Sequence, residues 1–510
     1  MCSAGSRSIA SALSTMPAPD PIPPLGRMGE PCGAALAPAP QHEPAAPASL
    51  PLFPDPAQLD PALSAFLQQA GDQLCRWWAD SSTRSPLPLL SVLPEAAPGP
   101  TGLDPIALLD DLQLVMDGAF NPVHPGSMAH LDPPPLTASV AADLICAGLN
   151  NNLLAEELSP SLSRLERSLC AWMAERLGLG DQAGGVAASG GSLSNLMALV
   201  VARHQRGLVG VPEALVFCSA DAHVSIAKAL AVMGLPATAL RPVPVDGHGG
   251  LQVDDLAAQL DGAAAAGVPV LAVVATAGTT VRGAIDPLAA IAALCRQRQI
   301  WLHVDGAIGA VFGLSAAHAH LIDGLSNADS LTVNPQKLLG ITKTSSLLLL
   351  RQPDALAACF ATGLPYMEPS WADAHGGECG LQGTRPAEVL KLWLGLRQLG
   401  LSGIAQLLDG ALQRRSQLQA LLAGLPLEHC SGPLHLLAFT PEGLAPAQAE
   451  QWSLQTRHHL LERQLMLSRP LYQGRHHLKA VLGNPHTGAA QLEAVAEVVA
   501  ASVHASVPLR

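Results

Sequence analysis

The stretch Ala328-Asp-Ser-Leu-Thr-Val-Asn-Pro-Gln-Lys-Leu-Leu-Gly340 decides how the chain is read. Leu331-Val333 is a short apolar run of strand type, and Asn334-Pro335 ends it with a turn. Lys337 follows within otherwise apolar surroundings. Desolvation there would lower its pKa and favour the neutral, nucleophilic amine. A snorkelling lysine, with its stem on apolar surface and its charge in water, fits this stretch better when it is taken alone. Outward from it, the strand-like runs Ala214-Cys218, Val268-Thr276, Ile300-Val304 and Ser345-Leu350 alternate with helical stretches. That alternation predicts an α/β domain whose largely parallel sheet carries helices on both faces. Ligands bind beyond the carboxyl ends of such strands. His223, Thr279, Asp305 and Lys337 each follow a run directly, so distant parts of the chain are expected to meet at one sheet edge.

Three more stretches carry candidate chemistry. In Ala188-Ser-Gly-Gly-Ser-Leu-Ser-Asn195 a Gly-rich turn opens a helix, exposing backbone N–H groups and the positive end of the helix dipole. A phosphate fits Gly191 and Ser192 there; so does an ordinary cap by Ser192 or Ser194. In Trp301-Leu-His-Val-Asp-Gly-Ala307, Asp305 ends an apolar strand, where a carboxylate is costly unless paired. A protonated pyridine nitrogen is one partner, and a strand-end turn is the common alternative. His223 precedes a helix, but it is one of 18 histidines, and alone it reads as a cap or a surface residue.

Taken in chain order, the Gly/Ser turn, His223, Ala275-Thr-Ala-Gly-Thr-Thr280, Asp305 and Asn-Pro-Gln-Lys337 form a pattern. It resembles the group II pyridoxal-phosphate (PLP) decarboxylases of fold type I, which act on glutamate, cysteine sulfinate, aromatic amino acids or diaminobutyrate. The likeness runs from about His124-Pro125 to Asn484-Pro485. It implies a mostly parallel seven-stranded sheet in a large domain, an N-terminal helical segment and a small C-terminal α+β domain. It implies a carboxy-lyase that converts an L-amino acid to an amine and CO₂, working as a homodimer with PLP. On this resemblance Lys337 is the Schiff-base lysine, Asp305 the partner of the ring nitrogen, His223 the stacked imidazole, and Ala307 the contact on the other ring face. Gly191 and Ser192 are phosphate ligands completed by Ser330 and Asn334, and Thr279 or Thr280 faces the cofactor. Gln382-Gly-Thr-Arg385, leading into Leu390-Lys-Leu-Trp393, resembles the family's Cys-Gly-Arg stretch. Substrate contacts are expected from His130, Arg385 and Lys479.

Three departures qualify the resemblance. Gln336 stands before the lysine where the family has His, and it cannot shuttle a proton. The loop Ser370-Trp-Ala-Asp-Ala-His-Gly-Gly-Glu-Cys379 has Ala374 where the family places a proton-donating tyrosine; only Tyr366 and Tyr472 exist in the chain. Lys479 occupies the place of an arginine found in glutamate decarboxylases. Without the loop tyrosine the enzyme is alternatively a decarboxylation-dependent transaminase or an aldehyde synthase. His375 is one candidate replacement donor, since an unperturbed imidazole pKa of ~6.5 suits proton transfer at neutral pH, and Tyr366 or water is the alternative. A non-catalytic scaffold is a further rival, disfavoured because Lys337, Asp305 and the turn are all retained.

Composition sets the outer bounds. The chain has 510 residues and suits one large domain with appendages. Its organisation is expected to be a disordered Pro/Ala-rich tail (1–54), a helical segment at a dimer interface (55–120), a PLP-binding domain (121–389) and a small domain (390–510). Leu59, Leu63, Phe66, Leu67 and Leu74 give the helical segment its amphipathic period. A formal charge of −13 argues against nucleic acid as a partner. No apolar run has the length of a membrane span, and the N-terminus lacks the apolar centre of a secretory signal, though it is Ser-rich and free of acids as transit peptides are. Ten cysteines without a C-x-x-C pair predict reduced thiols in a cytoplasmic protein and no metal site.

Overall fold

The computed structural model describes residues 49–89, 92–363 and 375–506. Most of the tail expected over 1–54, the position Ala374 and Tyr366 lie outside the described residues. Two helices, Pro61–Ala79 and Pro105–Asp117, come first. Each starts at an Asp-Pro step. Asp60 Oδ1 accepts from the N–H groups of Ala62 and Leu63 at 2.8 and 3.0 Å, and Asp104 Oδ1 does the same for Ile106 and Ala107 at 2.9 Å each.

The large sheet has seven strands: β1 Gly184–Ala188, β2 Leu215–Ser219, β3 Leu240–Val243, β4 Val270–Thr276, β5 Trp301–Asp305, β6 Ser330–Val333 and β7 Ser346–Leu350. Their order is β1-β7-β6-β5-β4-β2-β3, and only β7 runs against the others. Every residue of β2, β4, β6 and β7 is buried. This is why those strands read as unbroken apolar runs: helices cover both faces of the sheet. Of the other three, β5 is buried except for Trp301, while β3 and β1 give no such signal. Edge strand β3 is Leu-Arg-Pro-Val, with its middle residues exposed. Strand β1 is Gly-Gly-Val-Ala-Ala; a Cβ on Gly185 would overlap the Leu348 carbonyl oxygen of β7, so close pairing demands the residue with the weakest strand propensity.

A long helix, Val389–Leu421, bends at Gly400 (φ 58°, ψ 177°) and leads into a three-stranded antiparallel sheet of Leu427–Cys430, Leu436–Pro441 and Leu478–Val481. Helices Pro446–Glu462 and Ala489–Ser506 pack on it around a separate apolar core that includes Leu418, Phe439, Trp452 and Val499. No described helix is long and apolar enough to cross a membrane.

Candidate active site

The carboxyl ends of β4, β5 and β6, the segment after β2 and the turn after β1 surround a cavity of about 290 Å³. Its lining includes Gly191, Ser192, His223, Thr279, Asp305, Ala307, Asn334 and Lys337. These residues span almost 150 positions in sequence, and the parallel topology brings them together.

Asp305 is 5% exposed and accepts on both oxygens: Oδ2 from Asn195 Nδ2 at 2.8 Å and Oδ1 from the Ala307 N–H at 3.1 Å. Burial lowers the Lys337 amine below its ordinary pKa, against the attraction of Asp305 and Asp132. Burial likewise pulls the His223 imidazole down, against Asp305. The Gly191–Gln205 helix opens on Gly190, whose φ of 116° belongs to glycine, and presents its N-terminus to the cavity. With its carbonyl oxygen turned to the helix, Asn334 accepts from the Gly191 N–H at 3.3 Å, while its nitrogen donates to the Val333 carbonyl at 3.2 Å and to Ser346 Oγ at 2.7 Å. Thr279 Oγ1 accepts from the Ala284 N–H at 3.0 Å, fixing its loop under the cavity.

The donor set can be tested against the group it would hold. PLP carries an aldehyde, a basic ring nitrogen and a phosphate. One cavity offers an amine of lowered pKa, a buried carboxylate and a glycine-serine helix N-terminus. The residues fit.

Several expected residues stand elsewhere. Ser330 begins β6, fully buried, and its Oγ joins Trp301 Nε1 and His303 Nδ1 at 2.9 Å each, so it cannot reach a phosphate at the other end of that strand. Arg385 does not line the cavity either. Its guanidinium is 6% exposed and grips Glu166 through two bonds of 2.9 and 2.8 Å. His375 lies with it around a separate pocket of about 30 Å³, where Nδ1 accepts from the Glu156 N–H at 3.4 Å. Within one chain, neither is placed to touch a substrate at Lys337. Lys479 is closer: its ammonium donates to the carbonyl of Thr280, a lining residue, at 3.1 Å. Burial and then the neighbouring Lys337 push the Lys479 amine down to about 8. His130 is exposed and feels Lys479 electrostatically.

The sequence reading overlooked the polar floor of the site. His303 and Asp305 on β5, and Ser330, Thr332 and Asn334 on the β6 path, alternate with apolar residues and so share one face of the sheet, in register His303 to Ser330 and Asp305 to Thr332. That period of two was legible in Trp-Leu-His-Val-Asp and Ser-Leu-Thr-Val-Asn. Asn195 reaches this face from the covering helix.

The profile of the family described as "Pyridoxal-dependent decarboxylase conserved domain" matches residues 90–429. The aromatic-L-amino-acid decarboxylase of Bacillus atrophaeus is 32% identical over 329 residues, covering 63% of this chain and 68% of that protein. Human cysteine sulfinic acid decarboxylase is 35% identical over 292 residues, covering 54% of this chain but only 58% of its own length. The crystal structure of mouse CSAD in apo form superimposes with a TM-score of 0.78 at 26% identity, over 86% of this chain and 99% of that one. With the cavity's donor set, these similarities identify the chain as a member of the pyridoxal-dependent decarboxylases, enzymes that use PLP to decarboxylate an amino acid.

Proposed function

We propose that this enzyme removes the α-carboxylate of an L-amino acid with an acidic side chain, and that Lys337 carries its PLP. The observation behind this reading is the single cavity holding Lys337, Asp305, His223 and the Gly191-Ser192 helix start. Lys337 forms the covalent link, its lowered pKa supplying the neutral amine. Gly191, Ser192 and Asn334 would hold the phosphate, Asp305 would pair with the ring nitrogen, and His223, Ala307 and Thr279 would line the ring's place. When bound, the cofactor accepts the electron pair left as the bond between Cα and the carboxylate breaks. The Asp305 carboxylate would keep the ring nitrogen protonated, which is what lets the ring draw that pair, and its orientation is fixed before substrate arrives.

Lys479 supplies a positive charge at the rim for an anionic side chain, and His130, held below its ordinary pKa first by burial and then by Lys479, adds an uncharged imidazole. Exposed Leu59, Leu67, Ile106, Leu112 and Val115 on or beside the two N-terminal helices support a homodimer interface. Eight described cysteines are free thiols, in keeping with a cytoplasmic location. The test is an amine-product screen of the holoenzyme with glutamate, aspartate, cysteine sulfinate, diaminobutyrate and aromatic amino acids. An acidic substrate should win, and its kcat/KM should fall above about pH 8 as Lys479 loses its proton. Lys479→Met should remove both the preference and that alkaline limb. Preference for diaminobutyrate or an aromatic acid would overturn the assignment.

One observation favours a second reading, the aldehyde-forming or transaminating one. Tyr472 donates to Asp221 Oδ2 at 2.6 Å, and burial, with that bond, pushes its phenol up to about 12. Among the described residues no other tyrosine stands near the cavity. Aldehyde, ammonia and peroxide in place of amine would establish this chemistry.

A further inference from the structure

The structure assigns Asn195 the role of a positioning residue that fixes the hydrogen-bonding state of both Asp305 and His223. Asn195 is 1% exposed and touches four polar groups. Its Nδ2 donates to Asp305 Oδ2 and to Ser225 Oγ, each at 2.8 Å. Its Oδ1 accepts from Thr332 Oγ1 at 2.7 Å and lies 3.0 Å from His303 Nε2. All four positions of the amide are therefore taken, and a turned amide would aim its oxygen at a carboxylate.

The far end of the network agrees with this orientation. The Trp301 indole N–H can only donate, so Ser330 Oγ accepts it at 2.9 Å. The same oxygen faces His303 Nδ1, also 2.9 Å away. Asn195 Oδ1 can only accept, so His303 carries its proton on Nε2, and its Nδ1 accepts the Ser330 proton. Trp301, Ser330, His303, Asn195 and Asp305 thus form one chain of donors that all point the same way. It ends on a carboxylate that must accept. Burial holds His303 down at about 4, so this ring stays neutral and keeps its single proton.

The second Asn195 proton sets the other branch. Ser225 Oγ accepts it, which directs the serine's own proton to His223 Nδ1 at 2.9 Å. The Ser225 backbone N–H points at the same nitrogen at 3.2 Å. His223 Nδ1 is therefore an acceptor, and its proton resides on Nε2. A single buried amide, on a helix rather than on any strand carrying the site, sets both groups in advance.

This inference deepens the decarboxylase reading, but part of its test does not depend on turnover. The decisive variant is Asn195→Asp, which keeps the shape and loses both donors. The titratable groups around Asp305 are His223, His303 and Lys337. A carboxylate at position 195 would face Asp305 as a like charge, so the pair should hold an extra proton, and the protonated form donates to Asp305 again. At about pH 9 the variant should lose kcat by about 100-fold with KM little changed, and its activity relative to wild type should climb as the pH falls to about 6. A purely structural defect gives a ratio independent of pH, and a flat ratio would overturn the proposal. In holoenzyme loaded with ring-¹⁵N cofactor, the nitrogen signal should be that of a protonated ring in wild type and move towards the unprotonated position in Asn195→Ala. An unmoved signal would overturn it as well. Ser225→Ala, which cuts only the His223 branch, should lower kcat by less than Asn195→Asp and leave the ring signal in place. If wild type releases no CO₂ from any amino acid, the function fails, while the nitrogen signal still decides the role of Asn195.

Discussion

Two regions of this molecule hold the same inventory: a buried carboxylate, a cation and a histidine. In one they are Asp305, Lys337 and His223; in the other, Glu166, Arg385 and His375. The arrangements are opposite. Glu166 and Arg385 close on each other in a fork of 2.8 and 2.9 Å, leaving a pocket of about 30 Å³. Asp305 is held instead by neutral donors, an amide and a backbone N–H, and faces a cavity of about 290 Å³ beside an amine that burial has lowered. A site that binds a charged ligand keeps its charges for that ligand. A structural pair uses its charges internally.

The largest effect should come from Lys337→Ala. CO₂ release from carboxyl-labelled amino acids should fall below detection, and the visible absorbance of the bound cofactor should vanish. Turnover retained in this variant would mean the open region is not the reactive one, and the contrast with Arg385 would collapse.

How much of this contrast the sequence discloses depends on how local each part is. Lys337, Asp305 and the Gly191-Ser192 turn sit where a strand ends or a helix starts, and such positions leave a short signature of proline, glycine or an isolated charge. The buried strands were visible for the same local reason. Pairing across the fold leaves no such signature. Arg385 and Glu166 are 219 positions apart, and nothing in either neighbourhood announces the other. Ser330 was misjudged because it and Asn334 flank one strand, yet four residues of extended chain carry them to opposite ends of the sheet. Asn195 escaped notice because its partners lie on two strands and at the start of another helix, 30 to 137 positions away in sequence.

Arg385→Met sharpens the comparison from the other side. It leaves Glu166 buried without a counter-charge, which typically costs about 3–5 kcal/mol. Urea unfolding should show that loss, while kcat per folded molecule stays close to wild type. Changing both residues, with Glu166→Gln added, should recover much of the stability. A fall in kcat/KM at unchanged stability would return Arg385 to the substrate site.

The smallest effect at neutral pH, and the clearest sign test, concerns histidines in the two kinds of surroundings. His375 lies near Glu378, whose carboxyl burial would raise but which the Gly363 N–H, then the side chain and N–H of Thr362, and last His375 together hold below its ordinary range. His435 is 1% exposed, stacks on Phe312 at 6.4 Å, and feels the cations Arg414, Lys337 and Lys479. Burial first, then those charges, push it down to about 3. An unfolded histidine titrates near ~6.5, so between that pH and about 3 the unfolded chain binds a proton that the folded one refuses. The stability His435 contributes is therefore complete above about pH 6.5 and is lost progressively as the pH falls towards its folded pKa. His303, held at about 4, acts in the same direction. The urea midpoint of the wild type should fall steeply on acidification through this window. His435→Leu removes one of these protons and keeps an apolar contact for Phe312, so its acid limb should be shallower by an amount on the order of a few kcal/mol at about pH 4, with little change at pH 7. An acid limb of unchanged slope would mean that His435 is protonated in the folded protein. The cations of the open region would then exert less influence on their surroundings than their spacing implies.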